Sequence, residues 1–150
     1  MELEKRNQLS KFMSLILRHK PEKFNVTLDP EGFCLLALLH EKIQKEQGWK
    51  HITEDNILEV IEKCPKQRFE LNDGYVRARY GHSKVGVQYE AKVPPEVLIH
   101  GTHKGVVDEI LKTGIKKMAR QYVHLSETTH FATLSGQRLV LHKAIDAALV

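Results

Sequence analysis

The chain has 150 residues, which is enough for one ordinary domain or for two very small ones. Apolar residues make up 41% of the chain and charged residues 28%, so the composition predicts a packed core and excludes an extended disordered protein. The formal net charge is only +4, but the basic residues are clustered, and no apolar run approaches the roughly 20 residues that would cross a bilayer.

The two cysteines, Cys34 and Cys64, each lie in an apolar helical pattern, and no C-x-x-C pair occurs. Buried, reduced thiols are the better interpretation, and they are typical of a cytoplasmic protein. The first six residues carry charges at positions 2, 4, 5 and 6, which is too polar for a secretory signal.

Three helical patterns occupy the first part of the chain. The first runs over residues 7–18, and Pro21 ends it. A turn at residues 29–32 precedes the second, and Thr53 is placed to cap the third, which Pro65 stops. The apolar positions that define the three buried faces are Leu9, Phe12, Met13 and Ile16; Leu35, Leu38, Leu39 and Ile43; and Ile57, Val60, Ile61 and Cys64.

A hairpin is predicted after these helices. Its strands cover residues 68–71 and 75–80, and they are joined by an Asn-Asp-Gly turn. Because alternate side chains of a strand share a face, Tyr75, Arg77 and Arg79 point one way and the side chains between them point the other way, into the core. Three helices followed by a hairpin predict a winged-helix-like module, a fold that commonly binds nucleic acid.

The basic residues of this region have no acid beside them in sequence. Between residues 75 and 89 the charges are Arg77, Arg79 and Lys84. A second run without a carboxylate lies between residues 111 and 125 and consists of Lys112, Lys116, Lys117 and Arg120. An arginine is a planar fork that binds phosphate oxygens two at a time, so the pattern indicates a phosphate-bearing ligand. An ordinary solvated surface is the alternative.

The second part of the chain is predicted to be a small α+β lobe that begins after a stiff, proline-rich boundary at residues 92–95. The expected elements are a strand at 97–100, a helix at 104–113 with Gly114 as its cap, a strand at 122–125, a short helix at 127–134 and a last strand at 139–144. Four apolar side chains are expected to face inward from the first of these helices: Val106, Val107, Ile110 and Leu111.

Three short segments carry residue types suited to chemistry, and each has an ordinary alternative. Arg18 and His19 end the first helix, where cations also interact well with the helix dipole. Residues 100–102, His-Gly-Thr, join a strand to a helix, where a glycine and free N–H groups suit a pyrophosphate, but so would an incidental turn. His124 and Ser126 share a strand face, although such a histidine is more often structural.

A metal site is not expected. His100 and His103 are three residues apart but straddle a turn, and no second pair or cysteine cluster completes a tetrahedral set. The sequence also lacks the usual glycine-rich phosphate loops and the nucleophile elbow of a serine hydrolase.

In order and spacing, these groups of residues together resemble the RNA 2′-phosphotransferase family, the tRNA-splicing enzyme and its bacterial and archaeal relatives. The matching stretches are residues 9–11 with 15–19 (Leu-Ile-Leu-Arg-His), 29–32 (Asp-Pro-Glu-Gly), 68–71 leading into 76–83 (Val-Arg-Ala-Arg-Tyr-Gly-His-Ser), 100–102 and 123–126. The resemblance runs from about residue 9 to about residue 133.

The resemblance implies a winged-helix-like RNA lobe over residues 1–92 and an ADP-ribosyltransferase-like lobe that binds NAD over residues 93–150. It implies that the 2′-phosphate of a tRNA-like RNA attacks the nicotinamide-bearing ribose and that nicotinamide leaves. A ribose hydroxyl then attacks the new phosphodiester, which releases RNA with a free 2′-OH and ADP-ribose 1″,2″-cyclic phosphate without a metal. A monomer is expected.

By motif match, the catalytic set implied by the resemblance is Arg18, His19, Arg77 and Arg120. Arg77 is preferred to Arg79 because the family pattern is Arg-Ala-x-x-Gly-His-Ser. The implied NAD-binding residues are His100, Gly101, Thr102, His124 and Ser126. Convergent guanidiniums would favour a phosphomonoester, with its charge of about −1.5 to −2, over neighbouring diesters, and His19 would exchange a proton.

The chain departs from the family near its end. Family members continue with further strands and an Asn-Gly-Val-Trp-type segment, whereas this chain stops at Val150 and has its single tryptophan at position 49. The family's Gly-x-Arg-basic-Gly turn is replaced by Gly-Gln-Arg-Leu-Val at residues 136–140. The NAD lobe is therefore expected to be truncated, with an unpaired sheet edge and weakened NAD binding.

Two other functions fit the same residues. A non-catalytic or inactive RNA-binding relative would keep the basic face and lose the NAD pocket. The departure near the end of the chain favours this function, and the retained catalytic-type residues oppose it. An ADP-ribosyltransferase that acts on another phosphorylated nucleic-acid end is the third candidate.

Overall fold

The computed structural model describes residues 1–83, 93, 95, 97–102, 104–116, 118–119, 123–127 and 142–146. The chain divides into two units, residues 1–89 and residues 90–150. The lobe boundary predicted at residues 92–95 falls partly outside the described residues.

The described residues of the first unit include the helices α1 (Leu3–Ser14), α2 (Leu36–Gln44) and α3 (Glu54–Lys63). The predicted cap of α3 is confirmed. The Thr53 hydroxyl accepts a hydrogen bond from the Asn56 backbone at 3.2 Å, and the Asn56 side chain accepts one from the Thr53 backbone at 3.1 Å. This capping box satisfies two N–H groups that have no partner within the helix. None of the described helices combines the length and apolar character needed to span a membrane.

Helix α1 begins at Leu3, earlier than predicted, and a different type of helical turn follows its last residue. After Ser14 the backbone widens into a π-helical turn, Leu15–His19, in which the Lys20 N–H donates to the Leu15 carbonyl at 2.9 Å. A π turn rotates the side chains that follow out of the α-helical register, and such turns are frequent at functional sites. Arg18 and His19 both lie in this turn.

Three short strands form an antiparallel sheet in the order β1-β3-β2, where β1 is Cys34–Leu35, β2 is Phe69–Asn72 and β3 is Tyr75–Ala78. The predicted hairpin between β2 and β3 is confirmed, although β3 ends two residues early. Its turn has positive φ angles at Asp73 (50°) and Gly74 (78°), as a two-residue type I′ turn requires.

Strand β1 is absent from the sequence-based prediction, because two residues show no periodicity. The placement of Leu35 on the buried face of the second helix is wrong. Leu35 pairs with Tyr75 in the sheet and is 48% exposed, and α2 begins only at the next residue.

The core of the first unit lies between the helices and one face of the sheet. On β3, Val76 and Ala78 are buried, Arg77 is half-buried and Tyr75 is exposed, so the predicted separation of the two rows is confirmed. Each large apolar side chain buried in this way stabilises the fold by about 1.5–3 kcal/mol. The side chains at most 1% exposed include Leu9, Met13, Ile16, Leu17, Leu39, Ile43, Ile57, Val60, Phe69, Val76 and Ala78.

Cys34 is a buried thiol in this core, as predicted, although it lies in β1 and not in a helix. Burial, together with the charge of Asp29, raises the pKa of the Cys34 thiol to about 12. At pH 8 its thiolate fraction is then about 10³-fold smaller than in an unfolded chain, so we expect iodoacetamide to alkylate native Cys34 at least ~10³-fold more slowly than denatured Cys34. Timed quenching and peptide mass spectrometry measure both rates, and equal rates would contradict the burial of this thiol.

The second unit pairs β4 (Val97–Gly101) with β5 (His142–Asp146) in antiparallel fashion, so both predicted strands exist, and they end one and two residues later than predicted. A 3₁₀ turn, Lys104–Val106, leads into α4 (Val107–Thr113), and Gly114 caps that helix with a φ of 82°, as predicted. Residues 123–125, the described part of the strand predicted at 122–125, are not in a strand, but the neighbouring Ser126 forms an isolated bridge with Ile99. Nearly all of the predicted helix at 127–134 lies outside the described residues.

The predicted inward face of α4 is partly wrong. Val107 and Ile110 are half-buried, but Val106 is 43% exposed and Leu111 is 55% exposed. Neighbouring residues of a helix lie about 100° apart, so 106 and 107, or 110 and 111, do not share one narrow face.

Candidate functional site

Arg18 is buried in the first unit, with only 7% of the residue exposed. Its guanidinium carbon lies 4.8 Å from the centre of the Tyr80 ring, an arrangement in which the ring face attracts the cation. A cation that merely complemented a helix dipole would have no reason to be buried. The ordinary alternative for Arg18 therefore does not explain its position.

His19 is joined to a segment far away in sequence. Its Nδ1 lies 2.7 Å from the Ser83 hydroxyl oxygen, and the Ser83 N–H donates to the Arg18 carbonyl at 3.1 Å. These two hydrogen bonds connect Ser83 to the π-helical turn, although Ser83 lies 64 residues after His19 in the sequence. Two of the stretches singled out by the sequence thus form one site, in which the His19 ring is oriented through Nδ1.

Tyr80 connects this site to the segment before β2. Its hydroxyl donates a hydrogen bond to the Lys66 carbonyl at 3.0 Å. Burial raises the pKa of Tyr80, while the nearby charges of Arg18 and Arg68 act in the opposite direction. The phenol therefore stays protonated at neutral pH and keeps this bond.

Contacts from three sides hold Arg77 in place, among them an ion pair. Its Nε donates to Glu70 Oε2 at 2.8 Å, its Nη1 donates to the Glu31 carbonyl at 3.1 Å, and its guanidinium carbon lies 4.5 Å from the centre of the Phe33 ring. The sequence has no acid between residues 75 and 89, but Glu70 lies directly opposite Arg77 on β2 and supplies one. The expectation of unanswered guanidiniums on this face is therefore wrong for Arg77.

Arg79 has a different environment from Arg77. It is exposed, and its Nε donates to the Phe69 carbonyl at 3.1 Å. Two arginines that are equivalent in charge thus differ in orientation: Arg77 is half-buried and held by an ion pair, while Arg79 lies at the surface.

The second unit brings together two of its predicted segments. His100 Nδ1 lies 3.0 Å from the His124 carbonyl oxygen, and Ile99 and Ser126 exchange backbone hydrogen bonds of 2.7 and 2.8 Å. Residues 100–102 and 124–126 therefore lie side by side at one end of β4. A 3₁₀ turn precedes α4, and its N-cap, Val106, makes no side-chain cap hydrogen bond, so the pyrophosphate site expected at this helix stays a prediction.

The fourth member of the predicted catalytic set, Arg120, lies outside the described residues, as do residues 136–140. Its convergence with Arg18, His19 and Arg77 stays a prediction.

Sequence reasoning missed the partners of the site residues. Glu70 had a usable signal, because a two-residue turn at 73–74 places residue 70 opposite residue 77. Ser83 and Tyr80 lie within the motif that names Arg77, but no local signal tells which of its residues reach the π-helical turn.

Comparisons with known proteins cover both units. The family model described as RNA 2′-phosphotransferase, Tpt1 / KptA family, matches residues 4–145. The chain is 43% identical over 136 residues to a probable RNA 2′-phosphotransferase of Pyrococcus furiosus, a match that covers 90% of this chain and 73% of that protein. Proteins of the same printed name from Acetivibrio thermocellus and Pectobacterium carotovorum are 38% and 40% identical, over 88% and 92% of this chain and 73% and 75% of theirs.

Proposed function

Because this chain belongs to the RNA 2′-phosphotransferase family, which is a family of transferases, we propose that it removes an internal 2′-phosphate from a tRNA-like RNA and transfers it to NAD-derived ADP-ribose. The observation that carries the proposal is the attachment of Ser83 to Arg18 and His19. It brings residues 18–19 and residue 83 into one site. That site combines a buried guanidinium with an imidazole, two groups suited to phosphoryl chemistry.

We assign RNA binding to the first unit. In its described residues, the helices α1–α3 and the three-stranded sheet with its hairpin are compatible with a winged-helix-like lobe. Its cations Arg18, Arg77 and Arg79 lie in or beside elements that such a lobe presents to nucleic acid. A cytoplasmic location and a monomeric state are part of the same proposal, and they rest on the sequence alone.

We assign NAD binding to the second unit, as an ADP-ribosyltransferase-like lobe. The end of β4 collects imidazoles, hydroxyls and a glycine, a donor set that fits the phosphates and ribose hydroxyls of a dinucleotide. NAD⁺ would supply there the ribose carbon that accepts the phosphate. The residues that would hold it are His100, Gly101, Thr102, His124 and Ser126.

The proposal gives the catalytic residues two kinds of role. Arg18 and Arg77 would bind the 2′-phosphate and stabilise the charge that develops during its transfer, together with Arg120. Glu70 competes with the substrate for Arg77, and a doubly charged phosphomonoester competes better than a singly charged diester. His19, oriented through Nδ1, would exchange a proton through Nε2.

The decisive experiment is product analysis with NAD⁺ and a short RNA that carries one internal 2′-phosphate. We expect equimolar nicotinamide, ADP-ribose cyclic phosphate and dephosphorylated RNA, detected by chromatography and mass spectrometry. The same RNA without the 2′-phosphate is the control and should release no nicotinamide. RNA binding without nicotinamide release would overturn the proposal in favour of a non-catalytic RNA-binding protein, and stable ADP-ribosylated RNA would favour an ADP-ribosyltransferase.

A further inference from the structure

We infer that Lys66 and Arg68 form a second anion subsite, which binds a backbone phosphodiester of the RNA next to the nucleotide that carries the 2′-phosphate. This inference rests on the proposed function, and it adds a place for the RNA strand beside the reacting phosphate.

A strained turn between α3 and β2 presents both side chains. The backbone and side-chain N–H groups of Gln67 donate to the Cys64 carbonyl, at 3.0 and 3.1 Å. Gln67 has a φ of 47°, the left-handed conformation that is costly for a residue with a Cβ. Such backbone strain is found where the surrounding structure enforces it, often at ligand sites. The turn thus holds Lys66 and Arg68 on either side of a fixed residue.

The turn is attached to the site that contains Arg18. The Tyr80 hydroxyl binds the Lys66 carbonyl at 3.0 Å, and the same tyrosine ring packs against the Arg18 guanidinium. Arg68 Nη1 contacts Cys64 Sγ at 3.5 Å, which directs the arginine back along the turn. An RNA strand that binds Arg18 through its 2′-phosphate would therefore pass close to Lys66 and Arg68.

The charges of this turn are not balanced within the part of the chain that the structure describes. There, Lys66, Arg68 and Arg79 form no ion pair with a carboxylate. The Arg79 N–H donates to the Arg68 carbonyl at 2.8 Å, so two arginines lie opposite each other across the strands, which is a repulsive arrangement. Partial burial and the charges of Arg68 and Arg18 lower the pKa of Lys66. An anion bound at the turn would relieve this repulsion.

A backbone phosphodiester fits the position of these groups. Every internal nucleotide of an RNA has a phosphodiester on each side, so a strand that is bound through its 2′-phosphate always carries a second anion nearby. Two half-buried cations on one short turn suit a single fixed phosphate better than a diffuse surface attraction.

The binding test compares Lys66→Met, Arg68→Gln and the control Lys50→Met, which removes the same charge from an exposed position of the same unit. Fluorescence anisotropy gives the Kd of a short single-stranded RNA, with and without the internal 2′-phosphate, over a range of salt concentrations. Each site variant should reduce the slope of log Kd against log salt by about 0.7 and weaken binding about tenfold at low salt. Arg68→Lys should keep the wild-type slope, as should Lys50→Met.

The kinetic test compares a 2′-phosphorylated oligonucleotide with a nucleoside 2′-phosphate that has no flanking phosphodiester. Lys66→Met should raise KM about tenfold for the oligonucleotide only, and leave KM for NAD⁺ unchanged. The subsite would be overturned by an equal rise in KM for the oligonucleotide and the nucleoside 2′-phosphate, by a change in KM for NAD⁺ alone, or by a salt slope equal to that of the wild type. The salt dependence of Kd is measured without turnover. An inactive wild-type protein would therefore overturn the proposed function, while the salt slope would still decide whether the subsite binds RNA.

Discussion

Replacing Arg18 with lysine is expected to slow nicotinamide release from NAD⁺ and 2′-phosphorylated RNA by about 10²–10³-fold. Lysine keeps the positive charge, but it lacks the planar fork that binds two phosphate oxygens and packs on the Tyr80 ring. A single-turnover rate at saturating RNA and NAD⁺ measures the effect, because it separates the chemical step from product release.

Arg6→Lys is the matched control for this variant. Arg6 lies on α1, is half-buried and pairs with Glu59 at 3.4 Å, so the substitution makes the same chemical change in the same unit without touching the site. We expect its rate to stay within about twofold of the wild type. Because Arg18 is buried, thermal unfolding of both variants must show that they are folded at the assay temperature. A folded Arg18→Lys variant that loses no more activity than Arg6→Lys would show that Arg18 is not catalytic.

Arg77→Lys is expected to lower the same rate by about 10²–10³-fold, while Arg79→Lys lowers it by less than about fivefold. The ion pair with Glu70, the bond to the Glu31 carbonyl and the Phe33 ring orient the guanidinium of Arg77, and a lysine ammonium cannot reproduce that set of contacts. Arg79 is exposed, and within the described residues its side chain makes one hydrogen bond, to the Phe69 carbonyl. At Arg79 only the positive charge is expected to contribute to the rate, and lysine retains that charge.

The two variants are controls for each other, since they make the same change two residues apart on one strand. Rates and KM for RNA are measured for both. Equal losses would show that the preference for Arg77 is wrong, and a larger loss in Arg79→Lys would move the catalytic role to Arg79.

The sequence by itself determined the elements whose signals lie within a few residues. The capping box of α3 depends on Thr53 and Asn56, the hairpin on Asp73-Gly74, and the end of α4 on Gly114. Each of these signals acts through hydrogen bonds or φ angles of the same short segment, so distant residues do not override it. The motif match also named Arg18, His19 and Arg77 as candidates, but it gave no account of what holds them.

Only the tertiary structure decided how those candidates are arranged. The burial of Arg18 of the π-helical turn against Tyr80, the bond between His19 and Ser83, and the ion pair of Arg77 with Glu70 all join residues from separate elements. The two residues of β1 form a strand only because β3 lies beside them. These features depend on packing and on long-range contacts, whose free energies are not encoded in the local pattern of any one segment.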